Sequence, residues 1–247
     1  SALILVISLS LCSCGGGGGS GGDGSDAPDT IDSQAYFLRE PSDTYTFHET
    51  VEVLAGSQKA TDERTKVFSY EHVDEIPAEY GDFSAYPGPF RKETVSVDGS
   101  ISLVTYTDVS GRVMVSDDMT AFSRIMDSTS TGDDITLVVL GRTYRMTSSE
   151  RLFDSSTGEE MGWSDTSSTF TPVAIENVTV AGRTRRALKA SISYTVGVSG
   201  GTQASTTRYT GEQWFCEGLG LVRGTLTYQA SSGGITLTYT VELAQVE

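Results

Sequence analysis

Basic residues are scarce in this chain. Its 247 residues include 17 Lys and Arg against 33 Asp and Glu, a formal charge of −16. The clustered cations that phosphate contacts need are missing, so nucleic acid is excluded as a partner. Histidine is scarcer still, with two residues, and the three cysteines are too few to imply a disulfide framework. No long apolar run occurs: the one candidate, Ala2 to Leu11, is about half the ~20 residues of a membrane-spanning helix. No P-loop or dinucleotide fingerprint is present, and no Gly-x-Ser-x-Gly elbow sits between a strand and a helix.

What is present begins with an address. The apolar run has signal-peptide length, and the basic start expected before it is missing, so the sequence reads as beginning within a precursor. Leu11-Cys12-Ser13-Cys14 resembles the bacterial lipobox, with an aliphatic residue at −3 and a small one at −1 before the lipid-bearing cysteine. Cys14 fits this pattern; Cys12, with Leu11 at −1, fits it poorly. The resemblance implies lipid attachment at Cys14 and an envelope location, at the outer membrane or cell surface. Gly15 to Gly24 is eight Gly, one Ser and one Asp, and such a segment cannot bury enough apolar area to offset its ordering entropy. Ten flexible residues reach about 17 Å. The chain thus divides into a signal remnant with lipobox (1–14), a tether (15–32) and one β-rich domain (33–247).

From residue 33 the texture is that of an antiparallel β protein. Leu188, Ala190, Ile192, Tyr194, Val196 and Val198 alternate with polar residues, as do Ile235, Leu237, Tyr239, Val241 and Leu243, which is period two with one apolar face. Val222, Leu226, Tyr228 and Ala230 give a weaker copy, broken by Gly224. These segments exceed the usual strand length of about 5 to 6 residues, and long strands with one apolar face must twist and curl. The expected fold is mainly β: a single large curved antiparallel sheet, half-barrel or barrel, with one short helix packed on it. Further strands are predicted at 45–54, 65–71, 93–97, 101–107, 112–115, 135–140, 143–147 and 175–180, with Asp98-Gly99 as a hairpin turn. The helix is predicted where Met119, Phe122, Ile125 and Met126 fall on one stripe, before Asp127 to Asp134 dissolves into loop. Ile76 to Pro89 reads as an ordered loop.

Candidate chemistry is thin. Tyr45, Phe47, Val51 and Val53 share one strand face, which puts His48 on the other. His72-Val73-Asp74-Glu75 reads as a solvated loop. Asp127 to Asp134 fails the calcium-loop pattern, because the twelfth position is Val138 rather than Glu. Cys216 has Glu217 beside it and no basic neighbour, so nothing lowers its thiol pKa. Glu49 is the one oddity, a carboxylate on an otherwise apolar strand face, which a strand edge or a bulge explains more readily than a tuned acid. Asn177-Val178-Thr179 matches a glycosylation acceptor but lies in a predicted strand. No catalytic, cofactor or metal residues are assigned, and no enzyme is expected.

Trp214-Phe215-Cys216-Glu217-Gly218-Leu219-Gly220-Leu221-Val222-Arg223 resembles a C-terminal segment of bacterial envelope lipoproteins and periplasmic β-sheet proteins, with Cys216 where Ala is usual and Leu219 where Val is usual. The resemblance implies a curved sheet and imports no catalytic residue. Two functions are compatible with these features: a tethered binding module for an apolar ligand or lipidated envelope partner, or a structural, surface-display lipoprotein with a filled core and acidic exterior. An open or a solid interior separates them.

Overall fold

The structure, a computed structural model, describes residues 30–37, 43–80, 83, 88–108, 113–117, 123–154, 157, 159–200, 203–229 and 235–247. Cys12, Cys14, the glycine tether to residue 29, Met119, Phe122 and the 231–234 turn lie outside them.

Among the described residues, fourteen strands follow in chain order: β1 (Thr30–Asp32), β2 (Thr44–Ala55), β3 (Gln58–Val73), β4 (Phe90–Val97), β5 (Ser100–Asp108), β6 (Val113–Asp117), β7 (Ser123–Gly132), β8 (Leu137–Val139), β9 (Tyr144–Asp154), β10 (Glu160–Val180), β11 (Arg183–Gly200), β12 (Gln203–Cys216), β13 (Gly220–Gln229) and β14 (Ile235–Val246). A four-residue helix, α1 (Gln34–Phe37), links β1 to β2. Twelve of the strands pair antiparallel in a closed ring, in the order β10-β11-β12-β13-β14-β2-β3-β4-β5-β6-β7-β9 and back to β10. The remaining two, β1 and β8, pair with each other; Thr30–Asp32, at the end of the segment read as tether, is β1.

Tight turns make this meander. Asp98 and Gly99 take φ of 50° and 82°, and Ala181 and Gly182 take 46° and 73°, the left-handed pair that matches strand twist in a two-residue hairpin. Asp98 also ties its turn to β3: its carboxylate accepts from Thr65 N at 2.9 Å, and its N–H donates to Thr65 O at 2.9 Å. Thr44 and Glu247 exchange backbone hydrogen bonds of 2.8 and 3.0 Å, which joins the first and last barrel residues.

The register sorts inside from outside. Cross-strand partners share a face, so Tyr194, Tyr209, Tyr228, Leu237 and Val53 stand on one face, and Phe170, Ile192, Gly211, Leu226, Tyr239 and Val51 form the next row on the same face. This face carries the buried apolar residues and is the lumen. The row Glu52, Thr238, Thr227, Thr210, Ser193 and Thr169 crosses six strands on the opposite face. A barrel facing lipid presents an apolar band there; this wall is hydroxylated and suits water.

Eight strands already give a barrel just wide enough for side chains to fill, and diameter grows with strand number. Twelve strands therefore need extra material inside, and among the described residues it is supplied at the α1 end. A bulge between Pro172 and Ala174 lets the far end of the β10–β11 hairpin bury both its faces. Leu188 and Phe215 join a cluster with Tyr36 of α1, while Ala187, Cys216 and Val180 join one with Tyr45, Phe47 and Phe68 of β2 and β3. Phe37 closes the same end edge-on to Phe170 and Phe215, with ring centroids 5.4 and 4.8 Å away. The Ser33 hydroxyl donates to Ile135 O, Gly218 N donates to Ala35 O at 3.0 Å, and Val139 N donates to the Tyr144 hydroxyl at 2.8 Å, which ties α1, β1 and β8 down. Outside the wall, Ile76, Tyr80, Phe83, Phe90 and Tyr106 form a satellite core.

Three expectations change. The helical stripe at Met119 to Met126 is not a helix where it is described: Ile125 and Met126 lie in β7, paired with β6 and β9. Its spacing was helical, but a helix of about ten residues is marginal alone, and the hydroxyl-rich run Ser128 to Thr131 extends it as a strand. The short helix is α1, against β12 and β13. Asp127 to Gly132 is strand rather than loop. Only Leu137–Val139 of the predicted 135–140 strand forms, outside the ring.

A candidate binding lumen

The two ends of the lumen differ. Toward α1, the inward-facing Tyr45, Phe47, Val95, Leu188 and Leu243 are at most 3% exposed. Toward the opposite end, inward-facing Tyr209, Leu226, Tyr228, Leu237, Tyr239 and Val53 are only half-buried. Apolar side chains that point into a barrel and still meet solvent line an opening. Tyr194 and Tyr209 stack there at 4.5 Å and 18°, and Tyr228 lies tilted against Tyr209 at 5.5 Å. At this end Val198 and Ile235, on the inward rows, and Leu54 and Trp163, on the outer face, are each 38 to 48% exposed.

The facing wall is different in kind. Ser148, Ser164, Thr166, Ser168 and Glu150 continue the inward rows on β9 and β10. Burial pushes Glu150 above the ordinary carboxylate value. The lumen is thus aromatic on one side and hydroxylated on the other.

At its floor lies an ion pair. Lys66 Nζ donates to Glu49 Oε1 at 2.6 Å, with the two side chains 4% and 2% exposed. Glu49 sits neither at an edge nor at a bulge: β2 is flanked by β14 and β3, and its register with β3 is unbroken. Those two expectations for Glu49 are therefore corrected. Desolvation lowers the Lys66 pKa, and the hydrogen bond to Glu49 opposes this. Glu49 Oε2 is buried without a hydrogen-bond partner among the described residues. Arg64, directly across from Glu49, pairs instead with Asp62 at 2.6 Å. The Tyr239 phenol is raised by burial first and by the Glu49 carboxylate second, which places tyrosine wall and acid in one electrostatic neighbourhood.

Other sequence candidates fall elsewhere. His48 is exposed on the outer face, as expected; His72 is exposed too, but with Val73 it ends β3, paired with β4, where a loop was expected. Trp214 is half-buried on the outer face, between Lys189 Nζ at 5.0 Å and Arg223 at 5.3 Å, and donates its indole N–H to Glu176. The glycine corner beside it is real, with Gly218 and Gly220 at φ of 70° and 65°. Cys216 is a buried free thiol whose pKa burial raises. Asn177 to Thr179 lies within β10. A groove of about 480 Å³ on the outer wall is lined by Thr131, Thr147, Ser149, Asp165 and Ser167. Its polar groups hydrogen-bond one another, Ser149 to Asp165 at 2.7 Å and Thr131 to Thr147 at 2.9 Å, so it reads as sheet surface.

Sequence reasoning missed Tyr209 and Lys66. On β12 the inward positions run Thr207, Tyr209, Gly211, Gln213 and Phe215, too mixed to show an apolar period. Lys66 was legible in principle, since counting outward from the Ala55–Gln58 turn sets it opposite Phe47, beside Glu49.

No family model matches the chain, and no curated protein matches it. Among solved structures it is similar to a candidate exported protein with a YmcC-like fold from Bacteroides fragilis, at 12% identity and TM-score 0.36, over 86% of this chain and 98% of that one. It is also similar to a candidate lipoprotein from Parabacteroides distasonis, at 10% identity and TM-score 0.36, over 85% and 97%.

Proposed function

We propose that the chain is a lipid-tethered protein of the bacterial envelope that binds an apolar or amphiphilic ligand in its barrel lumen and catalyses no reaction. The observation that carries this reading is the half-buried state of Tyr209, Tyr228, Leu237 and Tyr239, which point inward yet remain open to solvent. A filled structural core would bury them as it buries Leu188. The exposed inward-facing Val198 and Ile235 at that end support entry of a greasy chain from that side, and ligand sites are characteristically apolar with a few placed polar groups. The Thr-rich outer wall leaves the anchor to Cys14, while α1 and the residues that follow the tether sit at the closed end.

Native mass spectrometry of the protein purified from envelope extracts tests the lumen. A co-purifying lipid-sized adduct, lost in Tyr209→Glu, is expected; an adduct-free protein that takes up no added amphiphile overturns the reading. For the anchor, wild type should incorporate labelled palmitate and Cys14→Ala should leave the membrane fraction. Equal fractionation without label would overturn that part alone.

A further inference from the structure

A buried ion pair with one idle oxygen is an unusual floor for an apolar lumen. Burying two charges costs more than their attraction returns unless every remaining lone pair is hydrogen-bonded, and buried acceptors are nearly always satisfied. Glu49 is 2% exposed; Oε1 is engaged by Lys66, and Oε2 has no partner among the described residues. No described residue supplies one. Arg64, its cross-strand neighbour, pairs with Asp62, and the hydrogen bond from Lys66 goes to Oε1. On its other side Glu49 faces Val241, and the next position in that row is Gly224, so no long side chain from β13 covers the acid. One row toward the mouth stands Tyr239, and beyond it Tyr228 and Leu237.

We propose that Glu49 Oε2 is the head-group acceptor of the lumen, and that the ligand is a single-chain amphiphile with an uncharged hydrogen-bond donor, a hydroxyl or amide, at its head. This rests on the lumen reading above and deepens it. The tail lies along Tyr239, Tyr228, Tyr209 and Leu237, and the head reaches down to the acid. Charge decides among heads. Glu49 and Lys66 already neutralise each other, so an ammonium would add an unpaired cation to a buried site, and a carboxylate would set a second anion against Glu49. Both carry a desolvation cost that a neutral donor avoids. A neutral donor completes the carboxylate, and hydrogen bonds to charged groups are among the stronger ones.

The test uses calorimetric titration of the full chain carrying Cys14→Ala with decanol, decanoate and decylamine. Wild-type side chains should bind decanol tightest, by about tenfold or more over the other two. Glu49→Gln/Lys66→Met, which removes both charges and leaves no buried ion alone, should weaken decanol binding by about tenfold because the charged acceptor is gone, while decanoate and decylamine still carry the desolvation cost of a buried charge and change by less than about threefold. In the single variant Glu49→Gln, used where it folds by circular dichroism, Lys66 is left uncompensated, and decanoate should gain on decanol. If all three probes bind wild type equally, or the double variant binds decanol as tightly as wild type does, the head-group assignment is overturned while the lumen stands. If no probe binds, the lumen reading itself fails.

Discussion

Lys66 Nζ lies 2.6 Å from Glu49 Oε1 inside the barrel, on adjacent strands and two residues beyond Arg64, the direct register partner of Glu49. Each side chain is buried, and each depends on the other to remain charged there. Lys66→Met alone leaves the Glu49 carboxylate uncompensated and should cost about 3 to 5 kcal/mol, whereas Glu49→Gln/Lys66→Met should fold within about 2 kcal/mol of wild type. Urea denaturation of the three proteins checks this. Equal losses in the single and double variants would mean that the pair contributes packing rather than charge.

The two ends of the lumen should respond differently to truncation. Leu188 is fully buried, and Leu188→Ala should cost about 2 to 5 kcal/mol. Leu237 shares its face but is half-buried, so Leu237→Ala should cost less than about 2 kcal/mol. Ser193 and Thr238 lie on the outer rows and should tolerate Ala within about 0.5 kcal/mol. A denaturation series in which Leu188 and Leu237 cost the same contradicts the open mouth.

Much of this was readable beforehand, and the exceptions have a physical pattern. Perfect alternation marked β11 and β14, because residues in these strands face an apolar lumen on one side and water on the other. β12 and the first half of β10 were missed for the opposite reason: their lumen side carries Ser164, Thr166, Ser168, Gly211 and Gln213, so neither face is distinctly apolar. The stripe ending at Met126 looked helical because four apolar residues can satisfy a helical spacing by chance when no competing alternation overrides them. Glu49 was noticed as anomalous on its strand, yet its partner required the strand pairing.

Burial, with neighbouring phenols and, at Tyr239, the Glu49 carboxylate adding to it, pushes Tyr194, Tyr209 and Tyr239 above the ordinary tyrosine value of 10.0. A folded-state value raised in this way stabilises fully below the unfolded value and is lost as pH rises through the folded one. Lys66, lowered from 10.5, acts in the opposite sense, its burial cost relieved as pH rises toward 10.5. In the Glu49→Gln/Lys66→Met background, unfolding free energy should therefore fall steadily from about pH 10 upward, with phenolate absorbance showing a late-titrating group of tyrosines. A flat profile with all tyrosines titrating together would show that these rings are not enclosed.

Cys216 is 1% exposed, and burial raises its thiol pKa, so the reactive thiolate is scarce and shielded. In a chain with Cys12 and Cys14 replaced by Ala it is the sole thiol. Its reaction with a disulfide reagent should be slow in the native protein and become rapid in urea. Immediate native reaction would mean that the hairpin end does not pack against β2 and β3.

The openness of the lumen beside Tyr209 and Tyr228 is tested most directly by thiol labelling in a Cys12→Ala/Cys14→Ala/Cys216→Ala chain. Tyr228→Cys and Leu237→Cys should react with a small maleimide in the native state, and decanol should protect both; Leu188→Cys, on the same face at the closed end, should resist until the protein unfolds. Resistance at all three positions, or labelling at Tyr228→Cys and Leu237→Cys that decanol leaves unchanged, would contradict an open, ligand-taking barrel.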